Sequence, residues 1–384
     1  MLNYSSIFNK KDKEKKIFTF YPYPKSGGCF KQIIRTVEVL RAAKIEVYYL
    51  SSKEFPLPDK EGVVYCKFPL SFKNEIIFYL FFYLLSPFYI LKIIKQYKIK
   101  NIMVFNEEFA ALTFLAKLFC KTKVTLIIEG FMESFAKSKK FSPLIHLFLK
   151  IYGKIGITVS DEILTVSVDL KNKIQKLYKT NKKIGISYNY PLSSEIKLAK
   201  TIDIKNSLGL KSDAFVVVSV GSLILRKNTS YLIEEFSKLQ QTKMYLVIVG
   251  SGPEDRTLEE LVTRLNIKHR VVFLGERKDA IDIIKSSNLL VLPTLHDDCP
   301  LVIIEALQLD TPVLASNRGG ILEILKYDNL MFNVAEEGSL YNKLKMIEES
   351  KDYFNKIKEH CKKRNEVFNK SWENEILGLV NESK

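Results

Sequence analysis

The sequence is poor in cysteine: Cys29, Cys66, Cys120, Cys299 and Cys361 are all it has in 384 residues. They are scattered, odd in number and never spaced as a C-x-x-C pair, which argues against a disulfide framework and against a zinc site. The four histidines, His146, His269, His296 and His360, show no metal-ligand spacing either. No resident metal is expected. No run of 18 or more uncharged apolar residues occurs, so no transmembrane helix is expected. The first residues turn Lys-rich without the apolar stretch and small-residue cleavage site of a signal peptide, so a cytoplasmic protein is expected. Acidic side chains are the minority, 43 against 59 Lys and Arg, for a net charge of +16. Such a balance asks for an anionic partner or a large solvated excess. Nucleic acid, an anionic membrane surface and phosphorylated substrates would each fit. No RNA-binding or helix-turn-helix signature accompanies the charge, so nucleic acid is not expected.

What is present is enough apolar chain for two cores. Hydrophobic residues are 47% and charged residues 27%, so neither half reads as disordered. In the second half, short apolar runs end in Gly or Pro and alternate with helical patterns. Phe215–Val220 ends at Gly221, Tyr245–Val249 at Gly250, Val271–Leu274 at Gly275 and Leu289–Leu292 at Pro293. This alternation predicts a parallel sheet covered on both faces. The first half repeats it with more noise: strands at Lys16–Phe20, Glu46–Leu50, Asn101–Phe105, Val124–Ile128 and Glu162–Val166, and a helix from Phe30 to Ala43. The pattern breaks at Tyr190-Pro191-Leu192-Ser193-Ser194. The expectation is an α/β protein of two facing Rossmann-like doubly wound domains with a cleft between them. Residues 1–190 form the first domain and 204–350 the second, and a helical segment 351–384 is expected to cross back to the first. In each sheet the strand carboxyl ends make the natural ligand site.

The densest constellation runs from Leu290 to Leu307. A strand ends at Pro293, a polar loop follows and a helix opens near Leu301. Asp297 sits in the loop and Glu305 lies eight residues on, one turn into the helix. The free N–H groups around Leu301 and Val302 can hold a phosphate, which the helix dipole favours. Two carboxylates beside a phosphate site suit a sugar nucleotide, one for sugar hydroxyls and one for a ribose diol. Taken alone, a loop acid and a solvated helix Glu are the simpler reading.

The stretch resembles the E-x7-E region of family-four, or group 1, glycosyltransferases of the GT-B fold. Four more motifs follow the same order: Gly221–Asn228 is similar to the Gly-Arg-Leu-x-x-x-Lys-Gly loop, and Val249-Gly250-Ser251-Gly252-Pro253 to the Val-Gly-x-Gly-Pro turn. Val272–Gly275 is similar to the next strand end, and Thr311–Ser316 with Gly319-Gly320-Ile321-Leu322-Glu323 to the closing Pro-Val-Val-Ala and Gly-Gly-x-x-Glu. In the first half Gly27-Gly28 falls where the family has its Gly-rich loop, and Ile163–Ser167 and Tyr188-Asn189 are weak echoes of its Val-Ser and Pro-Asn-Gly motifs. The resemblance implies a retaining, metal-independent, hexosyl-type transferase in bacterial surface polysaccharide biosynthesis. Its donor would be a UDP- or GDP-linked sugar, a substrate rather than a cofactor, and its acceptor a glycan or a lipid-linked glycan. Lys227 would neutralise the donor diphosphate, Glu305 would bind the ribose and Asp297 would face the transferred sugar. Gly28 would let backbone N–H groups approach the donor phosphate, and Gly27 and Gly320 would line the cleft. The family's first Glu is Asp297 here, and its phosphate-binding Arg is Ser222, with Arg226 close enough in sequence to compensate. Glu129 stands where many members have a His; binding the acceptor hydroxyl and a purely structural role both fit it. No Asp-x-Asp triplet follows a strand, as a metal-dependent transferase of the other major fold would need. A soluble acceptor, or a catalytically silent binding protein of the same fold, are the alternatives.

Ile76–Leu91 is uncharged, sixteen residues or ~24 Å of helix against a ~30 Å hydrocarbon core. Pro87 is expected to break it. Lys92, Lys95, Lys98 and Lys100 follow, and Lys137, Lys139 and Lys140 precede the apolar Leu144–Leu149. Aromatic helix plus lysine is the pattern of docking on anionic lipid, which would place the protein peripherally on the inner face of the cell membrane. A core helix is the other reading.

Overall fold

A computed structural model of the chain describes residues 15–22, 28–51, 62–70, 75–130 and 142–381. The chain divides into two compact units, Met1–Tyr188 with Trp372–Lys384, and Asn189–Ser371.

The first unit is built on seven parallel strands in the order β3-β2-β1-β4-β5-β6-β7. They are β1 Lys16–Phe20, β2 Glu46–Ser51, β3 Val63–Lys67, β4 Asn101–Phe105, β5 Lys123–Ile128, β6 Glu162–Thr165 and β7 Ile184–Ile186. Register is continuous across the centre, Ile17 pairing with Val47 on one side and with Asn101 on the other. The central strands are buried almost throughout, as a sheet covered on both faces requires. Around them pack α1 Gly28–Ala42, α2 Glu75–Tyr97, α3 Glu107–Ala110, α4 Phe114–Cys120, α5 Pro143–Val159 and α6 Val168–Tyr178. The last helix of the chain, Trp372–Asn381, returns to this unit. Trp372 is fully buried, and its indole N–H donates to Thr36 Oγ1 of α1 at 2.9 Å.

Pro87 does not break α2, contrary to the sequence expectation. The helix runs unbroken through it for 23 residues. A proline there removes one backbone hydrogen bond. Phe78 and Phe82 before it and Ile90 and Ile94 after it are all fully buried, and that packing outweighs the loss. The helix continues past the sixteen uncharged residues through Lys92 and Lys95. Ile77–Tyr97 is long and apolar enough to cross a membrane by length and composition, with 39% of its window buried inside the unit.

The second unit has six parallel strands ordered β10-β9-β8-β11-β12-β13. They are β8 Phe215–Val220, β9 Met244–Val249, β10 Val271–Phe273, β11 Leu289–Leu292, β12 Val313–Ser316 and β13 Met331–Phe332. From β8 the chain winds outward to β9 and β10, then crosses to the other side of β8 and winds through β11, β12 and β13. The reversal lies between β8 and β11, and in an open parallel sheet the crevice at such a point is where ligands bind.

Candidate active site

The carboxyl ends of β8, β9, β11 and β12 hold the second unit's candidate residues. The loop after β8 tightens into a single 3-10 turn, Leu225–Lys227. Lys227 N–H donates to the Ile224 carbonyl at 2.9 Å, and the turn stops at Asn228 in the left-handed region (φ 55). That turn is tied to the loop after β11. Leu295 N–H and Thr294 Oγ1 both donate to the Arg226 carbonyl, at 2.9 and 3.0 Å, and Asn228 Nδ2 donates to the Pro293 carbonyl at 3.3 Å. The loop after β12 joins them, with Gly320 N–H donating to the Asp297 carbonyl at 3.0 Å.

Two glycines are required by close approach. A Cβ on Gly250, at φ +136, would lie 1.9 Å from the Gly221 carbonyl oxygen. One on Gly319, at φ +55, would lie 2.4 Å from the Asp297 oxygen. Neither position accepts a larger residue without moving a loop of the site.

These ties bring Arg226, Lys227, Asp297 and Gly320 together. Lys227 Nζ donates to Asp297 Oδ2 at 2.6 Å, and Arg226 Nη1 donates to the same oxygen at 3.3 Å and to the His296 carbonyl at 2.7 Å. Burial pushes the Asp297 carboxyl up, but the two cations outweigh it and hold the carboxyl below its ordinary value. Gly221, Ser222 and Lys227 line one crevice with Leu292 and Pro293, at the reversal point between β8 and β11. Ser222 is exposed there. Leu301 and Val302 open the helix Leu301–Gln308, whose cap is Pro300, a residue without a side-chain acceptor for its first N–H groups. Glu305, in the second turn, is buried.

Gly28 and Glu129 lie in the first unit, Gly28 as the first residue of α1 and Glu129, half-buried, just beyond β5. Gly27 falls outside the described residues, as do Lys137, Lys139 and Lys140.

Two features of the first unit were missed from the sequence. Glu107 and Glu108 follow β4, beside the reversal between β1 and β4, and both are buried at 1% exposure. Tyr178 Oη donates to Glu107 Oε1 at 3.0 Å. Burial pushes the Glu107 carboxyl up to about 7, against the hydrogen bonds it accepts. Burial and the neighbouring Glu107 push Glu108 well above the carboxylate range. Two adjacent glutamates on a chain this basic read as solvated charge, and nothing local in the sequence says that α5 will cover them.

The second is the part that α4 adds to an apolar face on three helices, whose stretches in α2 and α5 the sequence had already singled out. Ile77, Leu80, Leu84 and Phe88 of α2 are exposed at helical spacing, with Lys92 and Lys95 continuing the same face. Phe114, Leu118 and Phe119 of α4 and Leu144, Leu147, Ile151 and Ile155 of α5 are exposed too. Tyr83 of α2 packs on Phe148 and Tyr152 of α5, each at 5.1 Å between ring centroids, and α4 packs against α2. Lys95 Nζ lies 5.7 Å from the Phe119 ring centre. Leu80, Leu118 and Leu144 are 66–79% exposed, so the face exceeds the isolated apolar residues that any surface carries.

Comparison with known proteins gives consistent matches. The model of the family described as "Glycosyl transferases group 1" matches residues 200–366. An uncharacterized glycosyltransferase of Methanocaldococcus jannaschii is 33% identical over 177 residues, 44% of this chain and 45% of that protein. A UDP-Gal:alpha-D-GlcNAc-diphosphoundecaprenol alpha-1,3-galactosyltransferase of Escherichia coli is 29% identical over 251 residues, 63% of each. The matched segments thus span about half to two thirds of these relatives' lengths. Among solved structures, Anabaena HepE in complex with UDP and glucose aligns over 96% of this chain and 99% of its own, at a TM-score of 0.76 and 16% identity. At that identity the likeness establishes the fold alone.

Proposed function

We propose, from the premise that residues 200–366 belong to the group 1 glycosyl transferases and that the two parallel sheets make a GT-B fold, that the protein moves a sugar from a nucleotide-sugar donor to a glycan or lipid-linked acceptor in surface polysaccharide biosynthesis. The donor is UDP- or GDP-linked, the anomeric configuration is retained, the transferred group is a hexose and no metal takes part. The observation that carries this reading is the placement of Lys227. Its ammonium lies in the crevice at the β8–β11 reversal, beside Gly221 and Ser222 and 2.6 Å from Asp297.

The chemistry follows from that placement. The bond between the anomeric carbon and the β-phosphate oxygen breaks, and negative charge builds on that oxygen as the nucleoside diphosphate leaves. Lys227, fixed by the 3-10 turn, neutralises it, with Arg226 as the second cation. The N–H groups at Leu301 and Val302, which Pro300 does not cap, add a dipole of the same sense. Ser222 donates to a phosphate oxygen. Glu305 takes the ribose hydroxyls and Asp297 the hydroxyls of the transferred sugar. The acceptor hydroxyl attacks from the side the leaving group departs and gives its proton to the departing β-phosphate oxygen. On the second unit Gly320 lines the donor side; on the first, Glu129 is the candidate for the acceptor hydroxyl and Gly28 for backbone approach to a phosphate.

The apolar and lysine-bearing face of α2, α4 and α5 supports a peripheral place on an anionic membrane, on the cytoplasmic side. There a lipid-linked acceptor is within reach of the first unit. The test is to incubate the protein with a panel of UDP- and GDP-sugars and a lipid extract, and to measure nucleoside diphosphate release. Release from one donor, raised by the extract, is the expected result. Release from none would leave the protein without this activity.

A further inference from the structure

The Lys227–Asp297 contact is one that neither residue's part in donor binding calls for. One carboxylate oxygen, Oδ2 of Asp297, sits where two cations converge, 2.6 Å from Lys227 Nζ and 3.3 Å from Arg226 Nη1. The Lys227 and Asp297 side chains are 17% and 15% exposed, so solvent neutralises neither well. In chemical terms that oxygen stands where a phosphate oxygen of the donor would. We propose that Asp297 is an internal counter-ion that holds the place of the donor diphosphate on Lys227, so that donor binding and release of the Asp297 carboxylate are a single exchange.

This rests on the donor-site reading above and adds an order of events to it. A lysine in a shielded crevice is costly to leave without an anion. The diphosphate supplies one, and only then is the Asp297 carboxylate free to turn to the sugar hydroxyls. After transfer the nucleoside diphosphate no longer carries a sugar for Asp297 to hold, and Asp297 competes with it for Lys227 and hastens its departure. The Asp297 backbone stays fixed during the exchange. Its carbonyl is held by Gly320 N–H at 3.0 Å and is crowded by Gly319, where a Cβ would come within 2.4 Å. Side-chain rotation is therefore enough, and the loop need not move.

The test is calorimetric binding of UDP, GDP and inorganic pyrophosphate to wild type, Asp297→Asn, Asp297→Ala and Lys227→Met, with circular dichroism to confirm folding. None of these probes carries a sugar, so a residue that contacted only sugar would not alter their binding. The nucleoside diphosphate that wild type binds should bind Asp297→Ala at least fivefold more tightly. Asp297→Asn should show the same direction, and Lys227→Met should lose binding. Equal or weaker binding by both Asp297 variants overturns the exchange and leaves the donor site standing. Absence of binding by wild type and both Asp297 variants to all three probes overturns the exchange and the donor site together.

Discussion

Replacing Glu107 by Gln is expected to stabilise the protein above neutral pH and to do little below pH 5. A glutamate in the unfolded chain titrates near 4.5, whereas burial lifts Glu107 to about 7 in the folded unit. A carboxyl whose folded pKa is raised contributes its stability in full below the unfolded value, and that contribution is lost as pH rises through the folded one. The difference of about 2.5 units at ~1.4 kcal/mol each is on the order of 3 kcal/mol. A unit of about 200 residues shifts its melting temperature by roughly 2–4 °C per kcal/mol, or roughly 6–12 °C here. Glutamine keeps an Oε1 to accept from Tyr178 and cannot ionise, so it mimics the protonated acid. The assay is thermal melting by circular dichroism from pH 5 to pH 8, read as variant minus wild type so that distant titrating groups cancel; Glu108, relieved of the Glu107 charge, moves the difference in the same direction. The difference should open with rising pH. A difference that is the same at pH 5 and pH 8, or a variant less stable than wild type at pH 8, would refute the reasoning.

Gly250→Ala puts a Cβ 1.9 Å from the Gly221 oxygen at a φ of +136, and should cost on the order of 3 kcal/mol by strain and overpacking; an unchanged melting temperature would contradict that. Donor turnover should survive exhaustive chelation, because Lys227, Arg226 and helix N–H groups carry the electrostatic work; loss with EDTA restored by magnesium or manganese would show otherwise. The protein should sediment with anionic vesicles and be released by salt, since each lysine near such a surface contributes about 1 kcal/mol within a Debye length of about 8 Å. Leu118→Asp, on the part of the face contributed by α4, should weaken that sedimentation, and sedimentation identical to wild type would place the docking face elsewhere.

The second unit was the more legible in the sequence, because β8, β9 and β11 are apolar runs closed directly by Gly or Pro at the point where the site begins. Phe215–Val220 and Leu289–Leu292 were located to the residue. The strands that escaped are short or at a sheet edge. β3 is mostly half-buried, β7 has three residues and β13 two, too few for a period-2 pattern to register. Pro87 misled because a local breaker says nothing about the buried aromatics that hold the helix on both sides of it. The candidate site was legible as residue types in order. The ion pair within it was not, since Lys227 and Asp297 are 70 residues apart and meet only because β8 and β11 are neighbours in the sheet. Burial of Glu107 and Glu108 has the same origin. Gly156 lets α5 lie so close to α3 that a Cβ there would fall 1.8 Å from the Glu107 carbonyl oxygen, and that contact spans some fifty residues of chain.

The central claim is that the crevice at the β8–β11 reversal holds the diphosphate of a sugar donor, with the ribose on Glu305. Its most direct test is the steady-state rate of donor turnover in Lys227→Met and Glu305→Gln beside wild type, with folding confirmed by circular dichroism. Each substitution removes a charge-assisted contact to the donor and should lower turnover at least tenfold in a folded protein. Wild-type turnover in both variants would contradict the assignment of the site.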